Sequence, residues 1–145
     1  MARGVTASSP GKVILFGEHF VVKGSRALAS AIGLRARVTV SDRGSWPMVI
    51  KSLNLGVEAR VYRDLSYKGS ERLRHIVRIL EVLREMDYEI LPVDAVIGSE
   101  IPPAAGLGSS AATSAAFALA YSAYHGDPLD HDRLSRVAYE GEVVV

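Results

Sequence analysis

The sequence contains no cysteine among its 145 residues. Disulfides and thiolate metal sites are therefore excluded, and a reducing compartment suits the chain. Charge of one dominant sign is missing too: 17 Lys and Arg against 16 Asp and Glu leave a formal net charge of +1. Lysine itself is scarce, since thirteen of those basic residues are arginine, scattered along the chain as a solvated face would be. With no basic stripe and no aromatic platform, nucleic acid is not expected as a partner. Long apolar runs are also lacking. Met1–Thr6 has no apolar core of signal-peptide length, and the run from Ala111 to Tyr124 is too short and too interrupted, by Thr113, Ser114 and Ser122, to span a membrane. Repeats, low-complexity tracts and linkers are absent. What remains is a chain with 48% hydrophobic residues, too apolar for disorder and long enough for one domain, 1–145, with its own core. The expectation is a cytoplasmic protein.

Periodicity then sketches the elements. Val13–Phe16 and Phe20–Val22 read as short strands separated by Glu18-His19, and Ala27–Ile32 is small and apolar. Arg35–Ser41 alternates, with Ala36, Val38 and Val40 on one face. Trp46–Lys51 and Val57–Tyr62 predict a hairpin around Asn54-Leu55-Gly56. From Ser70 to Met86 the period changes: Leu73, Ile76, Val77, Leu80 and Leu83 share one helical face, and Arg74, Arg78, Glu81 and Glu85 the other. Ile90–Ile97 returns to strand. A helix of small apolar residues follows to about Tyr124, and a last helix starts near Asp130 with Leu134, Val137, Ala138 and Gly141 inward. Strands mixed with a few helices predict an α+β layered fold. Val143-Val144-Val145 makes a poor solvated terminus and reads as an element cut short.

The chemistry concentrates in Ile101-Pro102-Pro103-Ala104-Ala105-Gly106-Leu107-Gly108-Ser109-Ser110-Ala111-Ala112. Glycines just before a helix let an anion approach the unpaired N–H groups and the positive end of the macrodipole. Serine hydroxyls add donors, and one of them is a ligand type for magnesium. The segment therefore reads as a phosphate cradle. It is not the common P-loop, whose lysine is missing here. The alternative from composition is a glycine turn followed by a serine cap on a core helix.

A second segment bears on the choice, although read alone its Gly17-Glu18-His19 is a polar hairpin turn and its Lys12 a surface side chain. Ser9-Pro10-Gly11-Lys12-Val13-Ile14-Leu15-Phe16-Gly17-Glu18-His19 places charge where a buried strand should have none. A lysine beside a phosphate site neutralises charge that develops during phosphoryl transfer. A glutamate with a histidine can orient a polyol or hydroxy acid through hydrogen bonds.

Together, Pro10–His19, Pro103–Ala112 and Tyr139-Glu140-Gly141-Glu142 resemble the motifs of the GHMP small-molecule kinases, from about Ser8 to Val145. Within that family they are most similar to the branch that phosphorylates mevalonate. The resemblance implies the family's N-terminal, ATP-binding domain: two layers, a mixed sheet packed against helices, with a left-handed βαβ crossover. It implies ATP and Mg2+ as cofactors, mevalonate as substrate, and transfer to its C5 hydroxyl. Pro103, Ala104, Ala105, Gly106, Leu107, Gly108, Ser109, Ser110 and Ala111 would wrap the triphosphate. Ser110 and Glu142 would hold the metal, Lys12 would be catalytic, and Glu18 and His19 would contact mevalonate. A carboxylate at the edge of the last helix's apolar stripe suits Glu142 to that role, because a metal would compensate its burial.

The family pattern continues beyond Val145 into an aspartate expected as catalytic base and a C-terminal domain that walls the substrate cleft. These 145 residues are therefore expected to be nearly inactive alone, and the complete enzyme, which could form a homodimer, to carry the activity. Two alternatives stay open: a GHMP kinase acting on phosphomevalonate, from which His19 separates this chain, and a non-catalytic Mg-ATP-binding module.

Overall fold

The computed structural model describes residues 4–16, 28–103 and 107–142. Among the described residues six strands form one sheet: β1 (Gly4–Phe16), β2 (Leu28–Asp42), β3 (Met48–Ser52), β4 (Val57–Val61), β5 (Tyr67–Gly69) and β6 (Val93–Ser99). Their order across the sheet is β1-β2-β6-β3-β4-β5. All neighbours are antiparallel except β3 and β6, which run parallel. A parallel pair needs a crossover, and here β4, β5 and α1 (Arg74–Glu85) supply it. After β6 come α2 (Ser109–Tyr124) and α3 (His131–Glu142). This is the layered α+β arrangement expected from the sequence.

Alternation explains how the sheet buries one side. Val38, Val40, Met48, Ile50, Ala59, Val61, Ala95 and Ile97 point into the core, while Arg37, Thr39, Lys51, Glu58 and Arg60 stay exposed. The helices close the core from the other side. Ile76, Ile79, Leu80 and Leu83 of α1 and Phe117 and Tyr121 of α2 join the sheet residues in one cluster. Small residues line α2, and Ala112, Ala116, Ala118 and Ala120 are all buried, so this helix lies directly against β1 and β2. In turn α3 packs on α2 and α1. Its start is capped by Asp130, whose carboxylate accepts the Arg133 N–H at 2.9 Å.

Several expectations shift. The two short segments 27–32 and 35–41 are one long strand, β2, paired over its length with β1. β1 itself begins at Gly4, well before Val13, and absorbs Pro10 through a register shift between Pro10 and Lys12. Proline is tolerated there because β1 is an edge strand. The segment at 90–97 enters the sheet only at Val93, after Pro92. Arg78 was assigned to the solvent face of its helix, yet it is only partly exposed: it binds Glu140 of α3 at 3.1 Å and Glu81 at 3.3 Å. The strand expected at Phe20–Val22 lies outside the described residues.

Tyr121 locks α2 to the segment before β6. It is fully buried, its hydroxyl donates to the Leu91 carbonyl, and it accepts the Leu91 N–H, both at 2.8 Å. Burial pushes the phenol's pKa up, so it stays a donor at any ordinary pH. Tyr121→Phe strips both partners from Leu91 while keeping the ring, and should cost about 1–3 kcal/mol in the urea unfolding of the complete protein. An unchanged midpoint would show that water replaces the hydroxyl without loss.

Candidate active site

Two segments that lie far apart in sequence meet where β1 passes the end of the loop before α2. The Lys12 N–H donates to the Leu107 carbonyl at 2.8 Å. Gly11 permits this approach: a Cβ there would sit 2.8 Å from the Leu107 oxygen, 3.1 Å from Ile32 Cδ1 and 3.2 Å from Ile101 Cδ1. The loop is also held from beneath. Ile101 is buried with Ala36 of β2 and Ala112 of α2, and Leu107 packs against the same cluster. Both ends of the loop are therefore anchored in apolar contacts, one on each side of residues 102–106.

Gly108 is the N-cap of α2, in the left-handed conformation with φ 73°. Glycine suits it twice over. The backbone is strained for other residues, and the Lys12 stem lies across the position, with Cγ only 2.9 Å from where a Cβ would be. The lysine side chain is thus laid over the helix N-terminus. Gly108 itself brings no side-chain cap to α2. Its first intrahelical bond runs from the Ala112 N–H to the Gly108 carbonyl at 2.9 Å, so the N–H groups of Ser109, Ser110 and Ala111 precede the helical ladder. Donors that precede the helical ladder, the positive end of the helix dipole and a lysine over that end make a site for an anion.

This disposes of the alternative in which a serine caps the helix. Ser110 turns its hydroxyl to Glu142 instead, donating to Oε1 at 2.6 Å. That bond links the start of α2 to the end of α3. The position of α3 is fixed in turn by the Arg78–Glu140 pair and by Gly141, which packs against Ile79 and Ser114. A hydroxyl and a carboxylate side by side next to an anion site are hard oxygen donors, the chemistry that holds magnesium with phosphate.

Of the residues named from the sequence, Lys12, Leu107, Gly108, Ser109, Ser110, Ala111 and Glu142 gather around this helix start. Pro103 is in an exposed turn before it. Glu18, His19, Ala104, Ala105 and Gly106 lie outside the described residues. Sequence reasoning missed His75. It is buried on α1, and the Glu142 carboxylate acts on it, though burial outweighs that charge and holds its pKa below the ordinary histidine value. A polar residue in helical register with the apolar Ile79 and Val82, four and seven positions on, was the available signal. No described helix is long and apolar enough to cross a membrane.

Comparison with known proteins bears on the family and the fold. The family model for the GHMP kinases N terminal domain matches residues 74–145. A mevalonate kinase of Aeropyrum pernix is 46% identical over 146 residues, covering 99% of this chain and 45% of the relative. That of Pyrococcus horikoshii is 38% identical over 154 residues, covering 100% of this chain and 46% of the relative. The chain thus spans about half the length of the curated relatives it matches. Among solved structures, the mevalonate kinase of Methanococcus jannaschii superposes with a TM-score of 0.81 at 24% identity, over 97% of this chain and 46% of that one. A galactokinase of Lactococcus lactis, complexed with galactose, gives 0.83 at 22% identity, over 97% and 37%. At those identities the superpositions speak for the fold alone. With the family model and the curated relatives beside them, the chain belongs to the GHMP kinase family and corresponds to an N-terminal portion of it.

Proposed function

We propose that the complete protein transfers the γ-phosphoryl group of ATP to the C5 hydroxyl of mevalonate, as a cytoplasmic enzyme of isoprenoid biosynthesis. In this reaction the bond from the C5 oxygen to the γ-phosphorus forms. The bond from that phosphorus to the β–γ bridging oxygen breaks, and the hydroxyl proton leaves to a base. The observation that carries the reading is the union of Lys12 and the start of α2 with the Ser110–Glu142 pair, 2.6 Å apart. The curated relatives named above are mevalonate kinases, and they favour mevalonate as the substrate.

In this reading each residue takes a part. The first-turn N–H groups of α2 bind phosphate oxygens, and Gly108 leaves room for them beside the lysine stem. Lys12 brings its charge to the same helix end, where it stabilises negative charge on the transferring group. Ser110 and Glu142 fit magnesium as oxygen donors and would hold it next to the phosphates. Bound there, the ion would neutralise charge on the β- and γ-phosphates. Glu18 and His19 are assigned to mevalonate because their motif is the one that resembles the mevalonate branch. Phosphoryl transfer depends chiefly on such positioning and electrostatics.

The substrate assignment is tested by ADP release from the complete protein with mevalonate, phosphomevalonate and galactose in turn. Mevalonate should be turned over far faster than the other two; preference for either of them, or no turnover at all, contradicts the assignment. In the same protein Lys12→Met should lower kcat by roughly 10²-fold while the KM for ATP changes much less. A variant with normal kcat would remove Lys12 from the chemistry. Glu142→Gln should move the magnesium titration of activity to higher concentration by roughly tenfold or more, and a superimposable titration would take Glu142 out of the metal site.

A further inference from the structure

Two buried side-chain atoms at the junction of α1, α2 and α3 have no hydrogen-bond partner among the described residues: His75 Nε2 and Ser114 Oγ. The residues are 7% and 0% exposed, so bulk water does not reach them. Buried polar atoms in this position call for an ordered water or an ion. The packing places them around one point. Gly141 of α3 sits between Ile79 of α1 and Ser114 of α2: a Cβ on it would lie 2.7 Å from Ile79 Cδ1 and 3.2 Å from Ser114 Oγ. One helical turn before Ile79 is His75, one turn before Ser114 is Ser110, and the residue after Gly141 is Glu142. Ser110 and Glu142 do meet, at 2.6 Å, and Glu142 is the charge that acts on His75. His75, Ser110 and Glu142 thus form the layer adjoining that of Ile79, Ser114 and Gly141.

The donors and acceptors in these two layers complement each other. His75 Nε2 has no partner among the described residues. A neutral ring protonated at Nδ1 offers Nε2 as an acceptor. The Ser114 hydroxyl can donate, and the Glu142 carboxylate accepts. A single water donating to Nε2 and to Glu142, and accepting from Ser114, satisfies all of them within the two to four bonds a buried water makes.

We propose that His75 is a positioning residue: with Ser114 it holds a buried water against the Glu142 carboxylate and so fixes how that carboxylate faces Ser110. The inference rests on the reading of Glu142 as a cation-holding residue. It adds a supporting partner behind it, on α1. Such outer partners typically change metal affinity by 10–100-fold.

Two experiments on the complete protein test it. A crystal structure fine enough to show ordered water should place one within hydrogen-bond reach of His75 Nε2, Ser114 Oγ and the Glu142 carboxylate. A dry junction, or Nε2 bonded directly to a protein atom, overturns the proposal without recourse to any variant. The second experiment titrates Mn2+ in the presence of a non-hydrolysable ATP analogue, reading free ion by electron paramagnetic resonance. His75→Phe should weaken binding about tenfold. His75→Gln, whose amide oxygen restores an acceptor, should recover most of the loss. Equal weakening in both variants means His75 only fills space, and no weakening in His75→Phe means it does not support Glu142; either result overturns the proposal. Glu142→Gln in the same titration separates the levels. If it binds Mn2+ as tightly as the unaltered protein, the cation site itself is misread and this inference falls with it. If it binds weakly while His75→Phe does not, only the role of His75 is wrong.

Discussion

The candidate site depends on one backbone contact, the Lys12 N–H on the Leu107 carbonyl. It joins an edge strand to the loop that precedes α2, and it exists because Gly11 has no side chain to keep the two apart. Everything that could handle a phosphate is registered from it. The lysine stem continues over Gly108, whose left-handed backbone turns the chain into the helix. The apolar pair Ile101 and Leu107, seated on Ala36 and Ala112, holds the two ends of the loop. Apolar packing positions this site, and the charged groups are laid on top of it.

A second constraint brings the carboxylate. Glu142 stands at the end of α3, and a helix end placed only by its own helix would wander by more than a metal site tolerates. Here α3 is held against α1 by Arg78 on Glu140 and against α2 by the close fit of Gly141 on Ser114. The Arg78 guanidinium is a quarter exposed and shared among Glu140, Glu81 and Glu85. Solvent screens such a pair, and its worth in stability is modest. Its value lies in direction: it sets the last turn of α3 two residues before the one that bonds Ser110. The family motif Tyr-Glu-Gly-Glu then has a physical reading over three positions. Glu140 ties the helix to α1, Gly141 lets it close on α2, and Glu142 reaches the site.

Much of this was legible in the sequence, and the remainder failed for identifiable reasons. The stripe of Leu73, Ile76, Val77, Leu80 and Leu83 gave α1, because burial on one face imposes a period that composition alone displays. The small-residue helix after the glycine–serine segment was equally plain. The early part of β1 was not, since Ser8-Ser9-Pro10-Gly11 carries turn chemistry; only pairing with β2, remote in sequence, makes it strand. The shift of β6 to Val93 follows from Pro92, and β5 is too short for any periodicity to show. At the site, the residue types were readable and their connections were not. Nothing in the letters Leu107 and Lys12 tells that a carbonyl of one accepts from the other. Arg78 looked like surface charge because its partner Glu140 comes from another helix. His75 was hidden for a similar reason: its meaning depends on Glu142, reached only through the packing of α3 on α1.

The central claim is that Lys12, the start of α2 and the Ser110–Glu142 pair form one receptor for a nucleotide triphosphate with its cation. The most direct measurement is a crystal structure of the complete protein with magnesium and a non-hydrolysable ATP analogue. The account predicts the triphosphate across the N-terminus of α2, with Lys12 on one side and the magnesium against Ser110 and Glu142 on the other. A nucleotide bound elsewhere, with the Ser110–Glu142 hydrogen bond intact and Lys12 free of phosphate, would contradict it.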